Sequence, residues 1–380
     1  MLVALFEDER YESFSPASAT SPVYWMGGGR ARLAEALVAR LGAEKAALFM
    51  RKELAGLYKW KLELLRERAR YSVGEEVEED LLLVNGRLIP TAECVDLLRR
   101  LAEAGGNVLA FSGREVVAIR VQRETARALR EVYREVMAAD ALLNLLESVQ
   151  VVEARGCVLA RGPEDLLRAI PDLVSSVSGA EEEGGLSGEV RADTSRGPVV
   201  VEEGAVVEPY SVLVGPCYVG RGALVECGSR IEESVVGEGS LISGKVRKSI
   251  LGDHVVIRGS VARSIISDYA YVGEGAVLPE DPEGGSGCHV LGMGAKVHAC
   301  SALLPYRRVG ALSEVLGFLD RDLGDFASYY LGGERVRSLR EALAYIRRRI
   351  WKAERRLPSD YEVELLEALY SRRARHSGRS

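Results

Sequence analysis

The chain has 380 residues, 47% of them hydrophobic and 28% charged, with a formal net charge of −6. That length accommodates two or three domains, each with its own core, and the composition is that of a soluble globular protein. The acidic balance argues against general nucleic-acid binding, and no apolar run approaches the roughly eighteen residues that span a bilayer.

The first residues, MLVALFEDERYE, meet acids too early for a signal peptide, so a cytoplasmic location is expected. Cys94, Cys157, Cys217, Cys227, Cys288 and Cys300 include no CxxC pair and no Cys/His metal spacing, so neither zinc nor disulfides are expected. Leu2–Phe6 reads as an apolar strand that ends in Glu7-Asp8-Glu9-Arg10. A polar loop, SFSPASATSPVYW, follows. Gly27-Gly28-Gly29 then leads into a helix through RARLAEALVARLG. Ala46–Met50 reads as a second strand and the charged segment 52–70 as a helix. Asp80–Val84 is a continuous apolar strand closed by Asn85-Gly86, and Thr91 opens a helix to Ala104. Asn107–Phe111 and Glu115–Val121 look like paired strands, 125–147 like a long amphipathic helix, and 149–158 is strand-like. This βαβ order predicts a mostly parallel sheet covered by helices. The acidic, glycine-rich stretch 179–189 is the natural linker.

From Val201 the pattern changes to a period of six. Val201, Val207, Leu213, Val219, Val225 and Ile231 open successive units, with Ala205, Ser211, Cys217, Ala223 and Ser229 at the fifth place. After one slip, units of fifteen begin at Ser234, Ser249 and Ser264. A large aliphatic with a small partner every six residues means short strands separated by tight turns. Stacking such turns makes a core that no single unit buries alone, which is a parallel β-helix. The pattern breaks at PEDPEGGSGCH (279–289), expected as a loop thrown out from a coil, and 289–303 reads as a last coil. Beyond Val309 the segments SEVLGFLDRDL, SLREALAYIRRRIWKAERRL and PSDYEVELLEALYSRRAR all read as helical, with Ser338 and Ser359 as N-caps. The last 46 residues hold thirteen Arg/Lys against six Asp/Glu. The spacing of Leu339, Ala342, Ile346 and Ile350 marks an apolar face, so this tail suits self-association, an anion site or partner docking.

Four stretches together resemble the GlmU-like sugar nucleotidyltransferases, in which a reduced nucleotidyltransferase domain precedes a left-handed β-helix. They are LFEDERYESFSPASATSPV, LLLVNGRLIPT, GPVVVEEGAVVEPYSVLVGPCYVGRGALVECGSRI and GKVRKSIL. The left hand comes from this resemblance, because the general crossover rule favours the right. The resemblance implies an α/β plus all-β chain: a Rossmann-like nucleotidyltransferase domain (1–180), a left-handed parallel β-helix (190–305) and a helical extension (306–380). It also implies transfer of a nucleotidyl group from an NTP to a sugar 1-phosphate, with Mg²⁺ and release of pyrophosphate. Homo-oligomers, trimers in particular, are common for such β-helices.

This chemistry needs N–H groups and cations around a triphosphate. Gly27, Gly28 and Gly29 with Arg30 and Arg32 are the candidate cradle. The alternative is a turn and helix start with solvated arginines. Ser21, Asn85 and Gly86 are the other candidate substrate contacts, and Glu7 and Asp8 the candidate metal ligands. The chain departs from the family at two of these places. Thr20-Ser21-Pro22 stands where Thr-Arg-Pro is usual, and Asn85 stands where the larger enzymes carry a metal-binding Asp. A second activity in such proteins is acetyl transfer from acetyl-CoA with a His as general base. Its candidates here are His289 and His254, with His298 further along the coil. The two departures also admit a third reading, a sugar-nucleotide-binding or assembly subunit with decayed sites.

Overall fold

The computed structural model describes residues 1–64, 70–73, 79–129, 149–177, 185–186 and 189–377. Most of the expected linker, 179–189, and most of the expected helix 125–147 lie outside the described residues. Two compact units emerge. One comprises residues 1–13, 21–25 and 33–161, and the other 14–20, 26–32 and 162–380.

The first unit is built on a seven-stranded sheet. Its strands are β1 (Leu2–Phe6), β2 (Ala46–Phe49), β3 (Tyr71–Val73), β4 (Leu81–Asn85), β6 (Asn107–Ser112), β7 (Glu115–Val121) and β8 (Val149–Glu153), in the order β3-β2-β1-β4-β7-β6-β8. A separate short pair, β5 (Leu88–Ile89) and β9 (Val158–Leu159), is antiparallel. Only β7 runs against its neighbours. Continuous runs such as LVALF and LLLVN are buried throughout the sheet's centre, as strands covered on both faces require. The helices α1 (Leu33–Leu41), α2 (Lys52–Leu64), α3 (Ala92–Glu103) and α4 (Arg123–Leu129) belong to this unit. Thr91 caps α3 by accepting a hydrogen bond from the Cys94 N–H at 3.3 Å.

No disulfide was expected, yet Cys94 and Cys157 are bonded, with Cα atoms 4.9 Å apart across 63 residues of sequence. The pair is invisible to spacing rules because the fold, not proximity in sequence, brings the two together.

The second unit is a parallel β-helix. Three long sheets of two- to four-residue strands stack one coil on the next, from Gly185–Leu186 to Ala327–Tyr330. Val201 pairs in register with Val219, Val207 with Val225 and Leu213 with Ile231, so the first coils step by 18 residues. These pairs lie on three sheets that share one core; Val207 and Val225 continue in line through Ile242, Ile257, Val272, Val297 and Val315. The fifteen-residue units are coils with shortened corners. At each, a residue in the left-handed region (Glu233, Lys248, Arg263) precedes a buried serine. The serines form a ladder: Ser249 N–H donates to Ser234 Oγ and Ser264 N–H to Ser249 Oγ, both at 3.1 Å. Each hydroxyl in turn donates to the carbonyl two residues back.

The β-helix does not stop at the expected residue 305. SEVLGFLDRDL, predicted helical, forms the strands Glu314–Leu316 and Phe318–Leu319, and Val315, Leu319 and Leu323 join the core. Their spacing suits a helix face as well as a coil. Gly317 at φ +105° and Phe326 at φ +54° enforce the coil's turns. The helical tail therefore begins at Leu339. Two short helices, α5 (Pro163–Arg168) and α6 (Ile170–Val177), group with the β-helix unit.

The tail comprises α7 (Leu339–Glu354) and α8 (Asp360–Ser377), each opened by a serine and glutamate that cap one another. Ala342, Ile346 and Ile350 are fully buried, and Arg349 donates to the carbonyls of Tyr269 and Ala270, so this apolar face packs on the chain's own β-helix. Tyr370 of α8 meets Phe326 edge-on at 5.1 Å and closes the last coil. Among the described residues no helix is long and apolar enough to cross a membrane.

Replacing Ser249 by Ala removes the acceptor for the buried Ser264 N–H. We expect a loss of about 1–3 kcal/mol, read from the denaturant midpoint. An unchanged midpoint would show that the ladder does not hold the coils.

Candidate active site

In an open α/β sheet, ligands bind outside the carboxyl ends of the strands, where the strand order reverses. Here that place is between β1 and β4, since β2 and β3 lie on one side of β1 and β4 on the other. The residues that leave these strand ends are Glu7 and Asp8 after β1, Arg51 after β2, and Gly86 and Arg87 after β4. Glu115 comes to the same edge because β7 starts there, running the other way.

Arg87 is the hub. Its side chain is 2% exposed and pairs with the carboxylates of both Asp8 and Glu115. Nε donates to Asp8 Oδ1 at 2.8 Å and Nη1 to the Ala160 carbonyl at 2.6 Å. Asn85 ties the strand ends together. Its amide donates to Asp8 Oδ2 at 2.8 Å and to the Val116 carbonyl at 2.9 Å, and its oxygen accepts from the Arg87 N–H at 3.0 Å. Asn85 thus supplies donors that an aspartate could not. Gly86 is required by space, because a Cβ there would lie 2.1 Å from the Tyr24 ring. Ser21 shares a hydrogen bond of 2.9 Å with Tyr58.

Glu7 is the other buried acid. One oxygen faces Arg51, at 3.3 Å from its N–H and 3.5 Å from Nε, and the Arg51 guanidinium lies 3.9 Å over the Tyr11 ring. The other oxygen, Oε1, is buried with no hydrogen-bond partner. Burial raises the Glu7 carboxyl above its ordinary value, and Arg51 with the backbone N–H groups of Arg51 and Val23 offsets this only in part. Tyr24 beside it donates to the Phe49 carbonyl at 3.1 Å, and burial, with Glu7 second, pushes its phenol well up.

The glycine loop belongs to the β-helix unit. Gly28 touches a corner of a coil so closely that a Cβ would sit 2.0 Å from Gly237 Cα. The Arg30 N–H donates to Tyr218 Oη at 2.8 Å, and Arg30 Nε lies 3.7 Å from Glu202. The Gly29 N–H reaches Asp253 Oδ1 at 3.3 Å, and the buried Arg32 guanidinium pairs with the same carboxylate. The loop's glycines and charges thus have partners within this unit.

The two histidines have other surroundings. His289 is fully buried, with Nε2 2.8 Å from the Pro279 carbonyl and Nδ1 accepting from the Arg307 N–H at 3.2 Å. Burial, reinforced by Arg307, pushes its pKa down to about 4. The ring anchors the loop at 279–288. Neighbouring Cys288 is buried too, and its thiol is pushed up to about 12. His254 stacks on Tyr269 at 5.4 Å, and its Nε2 lies 3.7 Å from Glu354 of α7. A groove of about 640 Å³ runs along the β-helix between Arg230, Lys245 and Arg247 and the loop at Pro279. None of the expected site residues lines it.

As a magnesium site the acids fit poorly. Asp8 is committed to Arg87 and Asn85, and no group of three His, Cys, Asp or Glu able to hold a metal occurs among the described residues. Arg51, Arg87 and Glu115 were not singled out from sequence. The signal was an arginine directly behind Asn85-Gly86, at the end of a strand too apolar to be anything but central. A cation buried there demands carboxylates.

Arg87→Met leaves Asp8 without its cation and Glu115 with only the exposed Arg10, whose Nε lies 2.9 Å from Oε1, and should cost about 3–5 kcal/mol of unfolding free energy. Lys at this position cannot span both acids and should recover little of it. Glu7 has a folded pKa above its unfolded one. Its contribution to stability is full below its ordinary value of 4.5 and is lost as pH rises through the folded value. Glu7→Gln should therefore raise the thermal midpoint at neutral pH, by roughly 2–4 °C per kcal/mol recovered. The gain should vanish in acid, and a gain independent of pH would contradict the assignment.

No curated protein matches the chain. The family model for sugar nucleotidyl transferases matches residues 3–175, which covers the seven-stranded sheet and the carboxyl-end cluster of Glu7, Asp8, Asn85 and Arg87. This match supports a GlmU-like nucleotidyltransferase domain over residues 3–175.

Proposed function

We propose that the protein is a sugar-1-phosphate nucleotidyltransferase that forms a nucleotide sugar from an NTP and a sugar 1-phosphate and releases pyrophosphate. The observation that carries this reading is the buried Glu7 carboxylate at the switch point of the sheet, whose Oε1 has no donor in full hydrogen-bond geometry, the Val23 N–H being the backbone group beside it. An unsatisfied buried oxygen at such a place is completed by a ligand donor, such as a ribose or sugar hydroxyl. Arg51, held in place by Glu7 and Tyr11, supplies a cation at the same strand ends for a phosphate. Nothing in the cluster calls for a protein-built metal site. Magnesium in this reading arrives with the triphosphate, as its preference for substrate phosphates and few carboxylates allows.

The saturation of Asp8 and Arg87 by each other supports a second reading, a sugar-nucleotide-binding or assembly subunit without turnover. Acetyl transfer from acetyl-CoA has less support, because both ring nitrogens of His289 already have backbone partners. Homo-oligomerisation, as a trimer through the β-helix, and a cytoplasmic setting complete the proposal.

Pyrophosphate release from each NTP with Mg²⁺ and a panel of sugar 1-phosphates separates these readings. The nucleotidyltransferase releases pyrophosphate only with both substrates present, and Glu7→Gln lowers kcat/KM by about a hundredfold or more while the fold gains stability. Thermal stabilisation by a nucleotide sugar with no turnover would establish the binding-subunit reading instead.

A further inference from the structure

One face of the β-helix gathers more positive charge than its carboxylates balance. Tyr271, Lys296, Glu314 and Ser328 lie side by side on successive rungs of one sheet. Against them α7 sets Tyr345 and Arg349, with the exposed Arg348 near enough to act on Lys296 electrostatically and Arg337 just before the cap. The Lys296 ammonium is 6.0 Å and the Arg337 guanidinium 5.3 Å from the centroid of the same Tyr345 ring.

Glu314 is the carboxylate packed among them, and its oxygens are already used. Oε1 accepts from Ser328 Oγ at 2.7 Å and from Tyr330 Oη at 2.6 Å, and Oε2 faces His298 Nε2 at 3.5 Å. Arg337 Nε stands 3.8 Å from Oε1 and its Nη1 donates to the Leu312 carbonyl at 2.8 Å. Arg349 is likewise committed, to the carbonyls of His254, Tyr269 and Ala270.

Two cations remain. Lys296 and Arg348 have no carboxylate at ion-pair distance among the described residues. Burial lowers the Lys296 pKa, and Arg337, Arg348 and Arg349 push the same way against Glu314. Tyr345 Oη, beside them, is buried without a hydrogen-bond partner. Two cations without an ion-pair partner and an idle phenol donor at one place make a site for a dianion with several acceptor oxygens. A phosphate group, at about −2, matches both the charge and the donors.

We propose that Lys296, Arg348 and the Tyr345 hydroxyl form an anion site that takes the phosphate group of a small phosphorylated molecule. Its source is inorganic phosphate or the phosphate of a nucleotide or sugar. The site uses the basic tail of the chain and is independent of the carboxyl-end cluster around Glu7.

The test uses the full chain in chloride buffer. Thermal unfolding and calorimetric titration are run separately with inorganic phosphate, pyrophosphate, a nucleoside triphosphate and a sugar 1-phosphate at matched ionic strength. At least one arm should raise the midpoint saturably, and the tightest identifies the source. Lys296→Gln with Arg348→Gln should weaken that binding about tenfold or more. Glu7→Gln should leave it intact, which separates this site from the proposed nucleotide site. Without added anion, Lys296→Gln should unfold at the same temperature as the parent or higher, since mutual repulsion is removed, whereas a merely structural lysine would lower it. The proposal is overturned if no arm saturates, or if the double variant binds as tightly as the parent.

Discussion

The constraint on which most of this molecule depends is the close stacking of one β-helix coil upon another. A short strand hides little by itself, and the aliphatic core from Val201 to Val315 is buried only because every coil covers the one before it. The corners must therefore approach without side chains between them. A Cβ on Gly237 would meet the Gly252 carbonyl at 2.2 Å, and one on Gly28 would meet Gly237. The serine ladder meets the same demand with hydrogen bonds: where a corner is short, a buried hydroxyl satisfies an N–H that the next coil leaves open.

That stacking also explains two features of the chain's ends. Tyr370 of α8 closes the last coil at Phe326, while α7 lies along earlier coils, with Arg349 on the Tyr269 and Ala270 carbonyls and Ile346 beside Gly294. The same helices bring a run of arginines against Lys296, so the cover concentrates charge that the coils do not neutralise. Near the amino terminus, the loop around Gly28 uses its backbone and arginines to grip Asp253, Tyr218 and Glu202. Groups that in isolation look made for phosphate serve here as a clasp on the coil.

At the α/β sheet the governing term is different. Arg87 lies in a setting where an unpaired guanidinium would be very costly; Asp8, Glu115 and the Ala160 carbonyl share out its donors, and Asn85 accepts from the Arg87 backbone N–H. Their mutual satisfaction gives the strand ends one geometry. Glu7 is the exception, with one oxygen that no donor reaches in full hydrogen-bond geometry, and in a well-satisfied polar network that atom is the informative one.

Much of this fold was legible in the sequence. The period of six located the β-helix, because burial of one residue per strand leaves an aliphatic at a fixed interval. The apolar runs LVALF and LLLVN located the central strands, and the acids behind the first of them marked the edge where chemistry is expected. Other features were set by residues distant along the chain. Val315, Leu319 and Leu323 fit a helix face until the preceding coil offers them a sheet to join. Cys94 and Cys157 are 63 positions apart, and only the fold makes them neighbours. Sequence alone determined that this chain alternates strand and helix and then winds into a β-helix, since periodicity is a local consequence of burial. Tertiary structure decided which arginine meets which carboxylate, since a buried charge takes its partner from whatever the fold places within a few ångströms.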